Sequence, residues 1–246
     1  MRSRGINHPA PSSQPLHSRA VTDAVIFDFN GTISDDEGLL AELFHRIFAE
    51  VGIDVPASLY FEEFAGYSDV EIAERVLERF GRAGDAELRD RVVRRRTELY
   101  LEAQRAAPTV RPQAAECVRQ IAARVPVAIA SGAARLEIEA VLEAAGLREL
   151  FPVLVCLEDV RHGKPDPEGY LLALERLSAH AGRELPARTT LVFEDSEPGL
   201  QSALSAGMDC ILVAGTVSPE RLGEAAGIVD ALDWSIPLIR ERFHAH

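Results

Sequence analysis

Four short segments carry residue types that chemistry can use. Asp28-Phe29-Asn30-Gly31-Thr32 follows the apolar run Ala24-Val25-Ile26-Phe27. A strand thus delivers an acidic residue into a tight Gly-containing turn, where a carboxylate is placed for chemistry rather than packing. Ala128-Ile129-Ala130-Ser131-Gly132 puts a hydroxyl and an unobstructed backbone amide at the end of a second run. That combination can cradle phosphate oxygens, although Ser-Gly after a strand is also simply a good turn. Gly163-Lys164-Pro165-Asp166-Pro167 holds an ammonium between a flexible glycine and two stiff prolines, which suits a fixed cation that neutralises a phosphoryl group. Lys164 is the only lysine in the chain, so solubility does not account for it. Phe193-Glu194-Asp195-Ser196-Glu197-Pro198-Gly199 sets two adjacent carboxylates at a strand end leading into a helix. Such a pair suits magnesium, which takes a few carboxylates, a carbonyl and several waters. The competing structural role is helix N-capping by Asp195 or Ser196, worth about 1 kcal/mol.

Five β-branched, apolar runs must position these segments: Val21 to Phe29, Val125 to Ala130, Val153 to Cys156, Leu191 to Phe193 and Cys210 to Val213. Helical periods lie between most of them. Leu136, Ile138, Val141, Leu142 and Ala145 mark one helix, ended by Gly146; Tyr170, Leu171, Leu174 and Leu177 mark another, entered through Pro165-Asp166-Pro167. Strand–helix alternation predicts an α/β fold with a Rossmann-like parallel sheet, covered on both faces and binding ligands beyond its carboxyl strand ends. Between about residues 38 and 107 apolar residues recur every three or four positions, which predicts a helical insertion. Its basic cluster Arg91, Arg94, Arg95 and Arg96 reads as a solvated face. The expected organisation is a disordered tail over 1–20, a core over 21–37 and 108–246, and a helical unit over 38–107.

The chain has 246 residues, 47% of them hydrophobic, and a formal net charge of −13. That charge argues against nucleic acid or anionic lipid as a partner, since either polyanion would be repelled. No stretch approaches the roughly 20 apolar residues that span a bilayer. The first twenty residues lack the apolar stretch of a secretory signal, so a cytoplasmic location is the default expectation. Cys117, Cys156 and Cys210 are far apart without metal-ligand spacing and read as reduced core residues.

Taken together, in order and type, the four segments resemble the four motifs of the haloacid dehalogenase-like superfamily. The likeness covers nearly all of the chain after the tail, and is closest to the subfamily with a helical cap inserted after the first motif, including phosphoglycolate-type phosphatases and β-phosphoglucomutase. The resemblance implies a magnesium-dependent phosphatase acting on a small phosphorylated metabolite through an aspartyl-phosphate. It makes Asp28 the nucleophile, and Ser131, Gly132 and Lys164 the holders of the transferring group, with Thr32 beside them. Asp28, Asp195, Glu194 and the backbone carbonyl of Asn30 would hold magnesium. The cap loop Phe64-Ala65-Gly66-Tyr67-Ser68-Asp69 would choose the substrate, with Tyr67 as a contact, unless it is only an interhelical turn with Ser68 as N-cap. A monomer is the family-level expectation.

One departure bears on the reaction. The second acidic position of the first motif, which usually serves as acid and base, is Asn30. An amide cannot donate and recover a proton as a carboxylic acid can, and a positioned acid–base group contributes about 10²–10⁴-fold. Three readings stay open: a phosphatase for good leaving groups or with its acid supplied by the cap, a slow enzyme, or a phosphate-ligand-binding relative with little turnover. Asn30-Gly31 is also a dipeptide prone to deamidation, which would restore the acid. A β-phosphoglucomutase-like phosphotransferase is disfavoured because Leu40 stands where such mutases carry a His. Phosphonate hydrolysis needs a cap lysine, and this cap has none; carbon–halogen hydrolysis would not need Glu194-Asp195.

Overall fold

The computed structural model describes residues 22–64, 67–213 and 225–243; the expected tail lies outside them. Each apolar run forms a strand: β1 (Ala24–Phe27), β2 (Val127–Ala130), β3 (Val153–Val155), β4 (Thr190–Glu194) and β5 (Asp209–Val213). A sixth strand, β6 (Gly227–Val229), pairs with β5. It is too short for its sequence period to show. All pairings are parallel, in the order β3-β2-β1-β4-β5-β6. The strand order reverses between β1 and β4, the switch point at which open α/β sheets bind ligands. Phe27 is in register with Ile129 on one side and Phe193 on the other, so Asp28 leaves the sheet flanked by the ends of β2 and β4.

Alternation along β1 builds a core on each face. Ala24 and Ile26 join one buried cluster, Val25 and Phe27 the other. Phe27 stacks on Phe193 with centroids 5.3 Å apart and meets Phe151 edge-on at 6.0 Å. Helices α4 (Pro112–Ala122) and α5 (Arg135–Ala144) cover the Phe27 face, and α6 (Glu168–Ala181) and α7 (Glu197–Ser205) the other. Gly146, at φ 63°, takes the left-handed conformation just beyond α5. Leu136 and Leu171, read above as parts of apolar faces, are instead 60% and 45% exposed, because the helical turn carries them away from the buried stripes. A short α8 (Pro237–Arg240) and a 3₁₀ turn (Glu241–Phe243) close the described chain. All three cysteines are buried and free, and burial pushes the Cys117 and Cys156 thiols up to about 12.

Between β1 and α4 come α1 (Glu37–Glu50), one π turn (Tyr60–Phe64), α2 (Asp69–Arg79) and α3 (Ala86–Ala106). Among the described residues no strand interrupts them, and no helix is long and apolar enough to cross a membrane. Phe44 packs against Phe48, Tyr60 and Phe64 with centroids 5.2, 5.9 and 5.5 Å away. Ser68 caps α2: its hydroxyl accepts from the Glu71 amide and its own amide donates to Glu71 Oε2.

The arginine cluster corrects the reading of a solvated face. Arg95 does pair at the surface with Glu50 and Glu98. Arg96, however, lies in the buried stripe Val92–Arg96–Leu99, its side chain 7% exposed. It pairs with Asp69 of α2 at 3.2 Å and with Glu137 of α5, tying the inserted helices to the sheet's covering layer. Removing one member of a buried ion group leaves the others uncompensated, at a cost of about 3–5 kcal/mol, whereas exposed pairs contribute about 0–1 kcal/mol. Arg96→Leu is therefore expected to lower the unfolding free energy by about 3–5 kcal/mol, and Arg95→Leu by less than about 1 kcal/mol. Denaturant titration checks this; equal small losses would contradict it.

Candidate active site

The ends of β1 and β4 meet around Lys164. Its ammonium donates to Asp28 Oδ1 and to Glu194 Oε1, each at 2.5 Å. Glu194 is wholly buried, and both its oxygens are taken. Oε1 also accepts from Tyr170 Oη at 3.1 Å. Oε2 accepts from the Asp195 amide, the Ser196 amide and Ser196 Oγ at 2.8–2.9 Å. The Ser196 hydroxyl in turn accepts from the Gly199 amide at 3.1 Å. The capping role considered for this segment thus falls to Ser196, beside the acid pair and not in its place.

Two glycines make room for these carboxylates. Gly31 sits at φ 71°, and a Cβ there would lie 2.0 Å from Asp195 Oδ2. A Cβ on Gly199 would lie 1.7 Å from Glu194 Oε1. Neither position accepts any other residue without displacing an acid.

Asp28, Glu194 and Asp195 are all buried, and each can place an oxygen within 4.8 Å of the others. Three carboxylates face one ammonium. Burial pushes Asp28 up to about 7, Lys164 opposing and Glu194 adding to the rise. Burial also opposes charge on Glu194 and Lys164, but Lys164 and the Ser196 hydrogen bonds together hold Glu194 below its ordinary value, and Asp28 with Glu194 holds Lys164 above its own. Hard oxygen donors in negative excess are the chemistry of a magnesium site, so the residues present fit that ion.

Asn30 is tied to a second, sealed carboxylate. Its Nδ2 donates to Asp36 Oδ2 at 2.8 Å, and the same oxygen accepts from Ser34 Oγ at 2.8 Å and Tyr100 Oη at 2.5 Å. The Gly31 amide donates to Asp36 Oδ1 at 3.3 Å. Deamidation needs the Gly31 nitrogen to attack the Asn30 side chain; here both partners of that attack are held by Asp36.

Two cavities open at this strand end. The smaller, about 40 Å³, is lined by Asp28, Asn30, Ser131, Lys164 and Asp195, and is faced by Tyr67 and Glu37. The larger, about 260 Å³, shares Ser131, Gly132 and Lys164, and runs between Glu71 and Glu74 on one side and Arg161 and His162 on the other. Of the residues expected at the site, Asp28, Asn30, Ser131, Gly132, Lys164, Tyr67, Glu194 and Asp195 come together here. Thr32 lines neither cavity; it is buried with its hydroxyl unpartnered among the described residues. Ala65 and Gly66 of the expected specificity loop lie outside the described residues. Asp36, Glu37 and Arg96 were not anticipated at the site, and Asp69 only as the last residue of the expected specificity loop; the adjacent acids Asp36-Glu37, just after the first motif, are the signal in the sequence that could have found two of them.

The close approaches set a test by substitution. Overpacking costs about 1–3 kcal/mol, occasionally more. Gly31→Ala and Gly199→Ala are expected to lose at least that, while Gly38→Ala, in α1 with nothing within 4 Å, should gain about 0.5–1 kcal/mol. Denaturant unfolding of the three variants measures it; a neutral Gly199→Ala would contradict the geometry.

The model of the haloacid dehalogenase-like hydrolases matches residues 22–207. A phosphorylated carbohydrates phosphatase of Thermotoga maritima is 32% identical over 190 residues, covering 77% of this chain and 83% of its own length. A validoxylamine A 7'-phosphate phosphatase of Streptomyces hygroscopicus subsp. limoneus is 32% identical over 202 residues, covering 81% and 89%. The crystal structure of CbbY from Rhodobacter sphaeroides in complex with phosphate superposes with a TM-score of 0.72 at 27% identity, over 86% of this chain and 95% of that one. The matched span contains all four strand-end segments, and the chain belongs to the haloacid dehalogenase-like hydrolase family.

Proposed function

We propose that the protein is a magnesium-dependent phosphatase for a small phosphorylated metabolite, with phosphorylated carbohydrates as the substrate class the relatives suggest. The observation that carries this is Lys164 held between Asp28 and Glu194, beside Asp195, in a small cavity at the switch point of the sheet. Asp28 is the nucleophile, attacking phosphorus and forming an aspartyl-phosphate that water then hydrolyses. Lys164, Ser131 and the Gly132 amide hold the phosphoryl oxygens, and Thr32 supports the turn behind them. Asp28, Asp195 and the Asn30 carbonyl hold magnesium, with Glu194 completing the acidic set. When bound, the ion shields the nucleophile from phosphate repulsion and stabilises the displacement.

Residues 38–107 act as a cap over a core of 21–37 and 108–246. The cavity around Asp28 measures about 40 Å³, and the cap opens for substrate to enter and then closes to exclude solvent. The phosphoryl group occupies the smaller cavity and the organic moiety the larger, within reach of Arg161 and His162. The Asn30–Asp36 bond favours a second reading, a phosphate-ligand binder with little turnover, because it locks an amide where an acid is usual.

Phosphate release from a panel of sugar, acyl and aryl phosphates tests the proposal. Native protein is expected to turn over in the presence of magnesium, and Asp28→Asn to fall to background. Binding without turnover in native protein, with turnover only in Asn30→Asp, would favour the binder. Magnesium should also raise the unfolding midpoint of the native chain, as any ligand of the folded state does, and Asp195→Asn should cancel that rise; an unchanged rise would place the ion elsewhere.

A further inference from the structure

We propose that Glu37 is the proton donor and acceptor of this active site, taking the part that Asn30 cannot play. The assignment rests on the phosphatase reading above.

Glu37 opens α1 and faces the cavity that holds Asp28 and Lys164. One of its carboxyl oxygens, Oε2, is buried and has no hydrogen-bond partner among the described residues. Leaving a buried acceptor unmade costs about 1–3 kcal/mol, so an orphan beside a nucleophile calls for a partner that arrives with the substrate.

The other charged groups around this cavity are committed. Lys164 is shared by two carboxylates, Asp69 is paired with Arg96 at 3.2 Å, and Asp195 belongs to the acidic set. Asp36 is 1% exposed and saturated by Asn30, Ser34 and Tyr100. Burial holds the Tyr60 phenol well above its ordinary range. Of the buried side-chain oxygens without a partner among the described residues, only that of Glu37 belongs to a residue lining this cavity.

Its surroundings support both protonation states. Burial first, then Asp36 and Asp28, push the carboxyl up to about 8, so it carries a proton at neutrality. Tyr60, Arg96 and the first turn of α1 favour the carboxylate left once the proton is gone.

The two steps then balance. In the first, an Asp28 oxygen bonds to phosphorus, the bond from phosphorus to the leaving oxygen breaks, and that oxygen takes the Glu37 proton to become an alcohol. In the second, the Glu37 carboxylate takes a proton from water as the water oxygen bonds to phosphorus. Asp28 leaves as carboxylate, phosphate is released, and Glu37 is again the acid.

The test compares single-turnover ester cleavage of fructose 1-phosphate and glucose 6-phosphate, whose alkoxides need a proton, with p-nitrophenyl phosphate, whose leaving group does not. Glu37→Gln is expected to slow sugar-phosphate cleavage by about 10²–10⁴-fold, and p-nitrophenyl phosphate cleavage by less than about tenfold. Adding Asn30→Asp to Glu37→Gln should restore sugar-phosphate cleavage. Equal losses on both ester types, loss on neither, or no rescue would overturn the assignment, as would a native protein that cleaves only p-nitrophenyl phosphate. A native protein inert to all three esters would instead overturn the phosphatase reading, and this assignment with it.

Discussion

One ammonium between two buried carboxylates governs this structure. Lys164 reaches Asp28 and Glu194 at 2.5 Å each, with 13% of its own side chain exposed. In so dry a setting, taking these charges out of water costs several kcal/mol per ion unless geometry and hydrogen bonds are good. The fold supplies both. β1 and β4 lie adjacent and in register, so their carboxyl ends present the two acids side by side. Glu194 is fixed by five donors, and the stiff loop around Lys164 delivers the cation from a third direction.

The same accounting explains what the site would accept. Asp195 brings a third acid, leaving the cluster short of positive charge, a deficit that a divalent cation would offset without new protein charges. The inserted helices close the space above. Their attachment is itself electrostatic: Arg96 joins Asp69 and Glu137 across the boundary. Arg96 also lines the smaller cavity, so the group that ties the helices to the α5 layer stands in the wall of the site.

Much of this was legible in the sequence. The five short apolar runs, the helical insertion and the four strand-end segments follow from periodicity, turn residues and the placement of a lone lysine among arginines. What escaped was set by tertiary packing. Arg96 read as surface because its neighbours are basic, yet its helical phase puts it with Val92 and Leu99. β6 needs β5 as a template and shows no period of its own. Asp36 and Glu37 drew no role from the sequence; only the fold shows Asp36 sealed against Asn30 and Glu37 in the wall of the cavity that holds Asp28. The roles of Glu194 as anchor and Ser196 as cap overlap in one short segment, where spacing alone does not separate them.

The central claim is that Asp28 is a nucleophile set up by Lys164 and the acids around it. Acid-quenching the protein during turnover of a phosphate ester with magnesium, followed by peptide mass analysis, tests it most directly. The account predicts one phosphoryl group on Asp28, absent from Asp28→Asn. Turnover with no covalent phosphoryl group trapped, or with the group on another residue, would contradict it.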